Sequence, residues 1–152
     1  MRKFVALLFT VTSLLTLAAT PAAAGPATTD TIHFKDLVET FVDVDPCSGA
    51  PGTVTTTSNG VFHTTVKDGT LHTTFTQAGT FVFTPAAPGG LSATGHFAIW
   101  GGFNVNNQNV AGTFTFNVVG TRSDGARFSG HALQHMSTTP AGTANLFSKF
   151  HC

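Results

Sequence analysis

Histidine is the residue type that stands out for chemistry. Seven occur in 152 residues: His33, His63, His72, His96, His131, His135 and His151. Imidazole binds metals and exchanges protons near neutral pH, so the placement of each matters. The segment Val66-Lys67-Asp68-Gly69-Thr70-Leu71 contains Asp-Gly, a strong hairpin signal. A two-residue loop there pairs Val66 with Leu71, Thr64 with Thr73 and Phe62 with Phe75. A three-residue loop would mix polar and apolar faces, so the first register is expected. It sets His63 and His72 diagonally on the polar face, about 7–8 Å apart and within reach of a shared metal. Two ligands fall short of the four of a closed zinc site, and scattered solvated histidines on a threonine-rich face would give the same pattern. His131 and His135 would be neighbours on a helix. On a strand they lie about 13 Å apart, and the spacing carries no metal signal.

Carboxylates are unevenly placed too. Five of the seven acidic residues fall between Asp30 and Asp45. Asp43 and Asp45 alternate onto one side of a strand, just before Pro46. Paired carboxylates perform acid–base work or bind calcium. The same run can mark a solvated edge, or a charged guard against edge-to-edge pairing. A hydrolase or isomerase site would need a histidine against Glu39, Asp43 or Asp45. No catalytic residue is assigned. A G-x-S-x-G elbow is absent, Phe128-Ser129-Gly130-His131 has no acid nearby in sequence, and no glycine-rich phosphate loop occurs. Nothing implies a cofactor. Trp100 is the only tryptophan, and tyrosine is absent. Alternation puts Trp100 on the polar face with His96 and Asn104. Trp100 and His96 are therefore candidate ligand-binding residues, with Trp100 marking a sugar or protein contact or capping a barrel mouth.

The elements that position these side chains are strands. After residue 31 the chain is rich in Thr, Val and Phe, with apolar residues at alternate positions and few helix formers. Seven long strands are expected: Thr31–Asp45, Thr53–Lys67, Thr70–Thr84, Leu91–Val105, Val110–Thr121, Ala126–Thr138 and Thr143–His151. On the first, Ile32, Phe34, Val38, Val42 and Val44 should share a face. Gly60 and Gly79 interrupt the second and third as bulges or turns, so the count could rise to nine. Ser123-Asp124-Gly125 reads as a three-residue loop with a bulge at Gly125, which aligns Phe114, Phe116 and Val118 with Phe128, Ala132 and Met136. Gly101-Gly102 reads as a bend or a close approach of chains.

The expected fold class is all-β. An antiparallel meander of about seven to nine long strands should form a closed or nearly closed β-barrel, with a β-sandwich as the alternative. Cys47 follows the first strand and Cys152 ends the last. With an odd number of strands, both lie at the same rim. A disulfide there would clasp the first strand to the last.

The first residues form a basic start, Met-Arg-Lys, then an apolar run from Phe4 to about Ala19, then Pro21 and Ala22-Ala23-Ala24. These are the parts of a secretory signal peptide spanning residues 1–24. The run is too short and too broken by Thr and Ser for a membrane span of about 20 apolar residues. A single all-β domain then covers residues 25–152, and the protein is expected to be secreted. Without Arg2 and Lys3, five basic residues face seven acidic ones. No basic stripe exists, which argues against nucleic acid or an anionic membrane as partner.

The run Val44-Asp45-Pro46-Cys47-Ser48-Gly49, the piece His63-Thr64-Thr65-Val66, and the stretch from Gly112 to His131 (GTFTFNVVGTRSDGARFSGH) resemble secreted all-β proteins of high-GC Gram-positive bacteria. The resemblance covers most of the expected mature chain and implies a secreted all-β fold, without an activity. At the level of architecture the chain is also similar to lipocalin-like and allene-oxide-cyclase-like barrels, although the short lipocalin motifs are not evident.

Three functions are compatible with these residues. The first is a secreted, non-enzymatic β-barrel binding a small, largely apolar ligand, suggested by the Phe-rich inner face. The second is an extracellular binding or structural module acting through its Thr, His and Trp outer face. The third is a small hydrolase or isomerase with a His–carboxylate site.

Overall fold

The structure is a computed structural model and describes residues 26–106, 109–138 and 143–152. The expected signal peptide lies outside the described residues. Seven strands follow one another: β1 (Thr28–Val44), β2 (Pro51–Lys67), β3 (Thr70–Pro85), β4 (Ala93–Val105), β5 (Val110–Arg122), β6 (Arg127–Thr138) and β7 (Thr143–His151). They form a single antiparallel sheet in sequence order, an all-β meander. The count stands at the low end of the expected range, because Gly60 and Gly79 do not divide their strands. Gly60 pairs with Gln77 and Ser58 with Gly79 without a shift in register. All strands belong to one sheet, not to the two of a sandwich. Among the described residues β1 pairs only with β2 and β7 only with β6, so the sheet is not closed by hydrogen bonds.

Both turns predicted from sequence form as expected. Asp68 (φ 49°) and Gly69 (φ 73°) take the left-handed conformation that a tight primed turn requires, and Val66 pairs with Leu71. At the other, the Arg122 N–H donates to the Ala126 carbonyl and Gly125 has φ 86°. Phe116 then faces Ala132, and Gly120 faces Phe128.

One expectation fails on β1. Phe34 pairs with Gly60 but Leu37 pairs with Ser58, so Lys35 and Asp36 together oppose Asn59. This is a β-bulge, with Asp36 at φ 52° and its N–H donating to Asn59 Oδ1 at 2.8 Å. The extra residue exchanges the two faces downstream. Leu37, Glu39, Phe41 and Asp43 join Ile32 and Phe34 on the inner side. Val38 and Val42 turn outward, 61% and 74% exposed.

Every phenylalanine from Phe34 to Phe128 stands on that inner face by register. The sheet coils around them, and glycines make the coil possible. Phe81 faces Gly95, Gly95 faces Gly120, and Gly120 faces Phe128. In a flat sheet Phe81 and Phe128 would be roughly 14 Å apart, three strand spacings. Their ring centroids are 6.1 Å apart. The rings lean over the two glycines, where a Cβ on Gly95 would collide with Phe81 and one on Gly120 with Phe128. Gly101 plays the same part between Phe75 and Phe114, whose centroids lie 5.7 Å apart across β4. The core gathers at one end, where Phe81, Phe83, Ala93, Phe97, Val118 and Phe128 are buried together. Phe34, Phe62, Phe75 and Phe114 form an aromatic ladder toward the other end.

The ends of β1 and β7 meet at one rim. Cys47 and Cys152 form a disulfide, with Cα atoms 5.6 Å apart and 105 residues of separation. Asp45 builds the turn that presents Cys47. Its carboxylate accepts from the N–H groups of Cys47 and Ser48, and its carbonyl accepts from Gly49, which has φ 71°.

Candidate functional site

The coil leaves a cavity at the disulfide end. It is lined by Phe41 and Val44 from β1, Val54 and Thr56 from β2, Phe81 and Phe83 from β3, Ala93 and Phe97 from β4, Phe116 and Val118 from β5, and Phe128 from β6. Residues of six strands therefore line one space of about 90 Å³, which is partly open to solvent. An apolar cavity of about 150 Å³ binds benzene or xenon, and a water needs about 10–15 Å³, so this space admits a small molecule or its tip. Its walls are close-packed phenylalanines. The polar residues of its lining are Asp43, Asp45 and Thr56.

The two carboxylates differ in their surroundings. Asp45 is 2% exposed, and its Oδ1 is committed to two backbone N–H groups of the turn. Asp43 Oδ1 accepts the N–H of Val44 at 2.8 Å, while no described group donates to its Oδ2. Loss of water around Asp43 pushes its pKa above the usual carboxylate range, and the Val44 hydrogen bond offsets part of that rise. Asp30 and Asp36 are exposed on β1, which among the described residues pairs on one side only, while Asp43 and Asp45 at the end of the run belong to a cavity wall and a turn. The bulge at Asp36 does not alter the shared side of Asp43 and Asp45, which both lie beyond it.

The histidines lie elsewhere. All seven are exposed. His63 and His72 take the expected diagonal on the outer face, since Thr65 pairs with His72 and His63 with Thr74. Each is engaged separately. His63 Nδ1 bonds Thr31 Oγ1 at 2.8 Å, and His72 Nδ1 bonds Asn104 Oδ1. His131 and His135 repeat the pattern with Asn117 and Thr113 on β5. Among the described residues no group of three or more His, Cys, Asp or Glu side chains is placed to hold a metal. No described histidine is paired with a carboxylate. The only ion pair among the described residues joins Arg122 to Asp124 at 2.8 Å.

Trp100 is on the outer face, as expected, and 39% exposed, with Thr76 and Thr115 beside it. His96 lies four residues away on the same strand, about 13 Å along it. It borders an open trough with Val119, Ser129 and His151, and Trp100 is not part of that trough. The structure does not bring the two into one site.

Comparison with protein-family models, curated proteins and solved structures finds no match to this chain.

No helix of the described residues is long and apolar enough to cross a membrane. The Phe-rich inner face pointed to an apolar interior site, and Asp43 to acid–base or calcium chemistry, but the alternation of Val38, Val42 and Val44 did not place Asp43 in the wall of that site. Phe41 was the available signal. It is the one aromatic on β1 beyond Phe34, and it falls on the face of Asp43 whatever the register.

Proposed function

We propose that the chain is an exported, non-enzymatic protein that holds a small, largely apolar ligand inside a nearly closed β-barrel. The observation that carries this reading is the cavity among Phe41, Phe83, Phe97, Phe116, Val118 and Phe128 at the coiled end of the sheet. Protein interiors are ordinarily filled to crystal-like density, and a concave apolar space with a few polar groups at its wall is the usual form of a small-molecule site. The staple between Cys47 and Cys152 supports the barrel, because it holds the ends of the first and last strands at one rim. Export is supported by the basic start, apolar run and Ala22-Ala23-Ala24 of residues 1–24, and by the disulfide, which persists in oxidising compartments.

The test is to purify the protein from its own source without denaturation and to extract it with organic solvent. Gas chromatography with mass spectrometry should report one apolar small molecule at close to one per chain. That molecule should be missing from a variant with Val118→Phe. A clean extract, from protein that also takes up no apolar probe, would contradict the reading.

A second reading rests on Trp100. A half-exposed indole among threonines, with Leu133 two strands away in the same row, is an unusual surface for a chain with so little aromatic surface. It suits an extracellular contact through the outer face. Pull-down on cell-envelope material should then fail for Trp100→Ala while the fold persists. Retention of the variant equal to that of the native chain would dismiss this reading.

A further inference from the structure

We propose that the ligand of the interior cavity carries a cationic amine, seated against the free oxygen of Asp43 with its hydrocarbon part among the phenylalanines. This rests on the reading of the cavity as a binding site and specifies the chemical class that it accepts.

The cavity wall holds two carboxylates and no lysine, arginine or histidine. Asp45 Oδ1 accepts the N–H groups of Cys47 and Ser48, which ties that carboxylate into the turn. Asp43 accepts a single N–H, from Val44 to Oδ1, no described group donates to its Oδ2, and the residue lines the cavity beside Phe41 and Val54. A half-buried carboxylate without a counter-ion is costly, and a positive donor would relieve that cost through a charge-assisted hydrogen bond. Burial already holds the Asp43 proton more tightly than usual, in keeping with a charge that lacks a counter-ion. A fatty acid would bring a third negative group to the same place, so simple carboxylates are disfavoured. The size of the space limits the buried part to a short branched chain or its equivalent. Glu39 lies on the same inner face, in register with Thr56 and roughly 13 Å from Asp43 along β1. It adds to the negative potential without competing for the same amine.

Three probes of one shape test this: 3-methylbutylamine, 3-methylbutan-1-ol and 4-methylpentanoate. Binding to the disulfide-bonded chain is followed by NMR shifts of the Val54, Val118 and Ala93 methyl groups, which line the cavity. The amine should bind at least tenfold more tightly than the alcohol, and the carboxylate more weakly than either. Asp43→Asn should bring the amine to the affinity of the alcohol and leave the alcohol unchanged. The unchanged alcohol shows that the variant's cavity is intact. If the alcohol shifts the cavity methyls and the amine gains nothing over it, the amine inference is wrong while the apolar binding site stands. If no probe shifts those methyls, the cavity is a packing void and the proposed function fails with it.

Discussion

Removing the disulfide should cost this protein a large fraction of its stability. Cys47 and Cys152 are 105 residues apart. In the chain-entropy model, closing a loop of that length lowers the entropy of the unfolded chain by about 16 cal/mol/K, or about 4.8 kcal/mol at 25 °C. Small domains have only about 5–15 kcal/mol in total. Cys47 also packs against the Phe81–Phe128 core, so Cys47→Ala keeps most of the buried volume while Cys152→Ser removes the thiol. Urea unfolding of the double variant, followed by circular dichroism, measures the loss. With a urea slope of about 1–3 kcal/mol per molar, the midpoint should fall by about 2 M or more. Reduction of the native chain should reproduce that fall, which separates the cross-link from the substitutions. A drop below about 1 kcal/mol would refute the reasoning. It would mean that the unfolded chain is already compact, or that the two strand ends do not meet.

Asp43→Asn should raise the melting temperature at pH 7 and flatten its pH dependence. The folded-state pKa of Asp43 lies above its unfolded value, so the native state binds the extra proton. Stability should therefore fall as pH rises from the ordinary carboxylate value through the raised one. A variant that melts lower at pH 7 would show instead that the carboxylate has a stabilising partner. Gly95→Ala should cost about 1–3 kcal/mol in urea unfolding, because the new methyl collides with the Phe81 ring and the Val119 carbonyl. An unchanged midpoint would mean that the coil is looser than described. Ala93→Val adds two methyl groups beside the cavity and should gain up to about 1.5 kcal/mol while reducing uptake of apolar probes. A loss of stability there would mean that the space is already filled.

Much of this fold is legible in the residues. Alternation identifies the strands, Asp68-Gly69 and Ser123-Asp124-Gly125 set two registers, and an odd strand count puts Cys47 beside Cys152. The β1 bulge is not legible by alternation. Val38 and Val42 continue the period of Ile32 and Phe34, and only the positive φ of Asp36 and its bond to Asn59 reverse them. The roles of Gly95 and Gly120 were hidden for a related reason. A glycine in a strand pattern looks like an interruption until its cross-strand neighbours are known to be Phe81 and Phe128. The cavity was the least accessible feature. Its walls come from six strands, and whether rings meet or leave a gap depends on curvature that no local pattern encodes. Histidine drew attention because of its chemistry. Yet the described imidazoles are mostly spent on single bonds to Thr or Asn of the next strand.

The central claim is that phenylalanines line the inside of a coiled sheet and leave an apolar space at its stapled end. Crystals pressurised with xenon test it directly, since xenon enters dry apolar cavities without needing a polar partner. The account predicts one strong xenon peak between Phe83, Phe97, Phe116 and Val118. Those four side chains packed in mutual contact with no peak among them, or phenylalanine rings on the outer face, would contradict it.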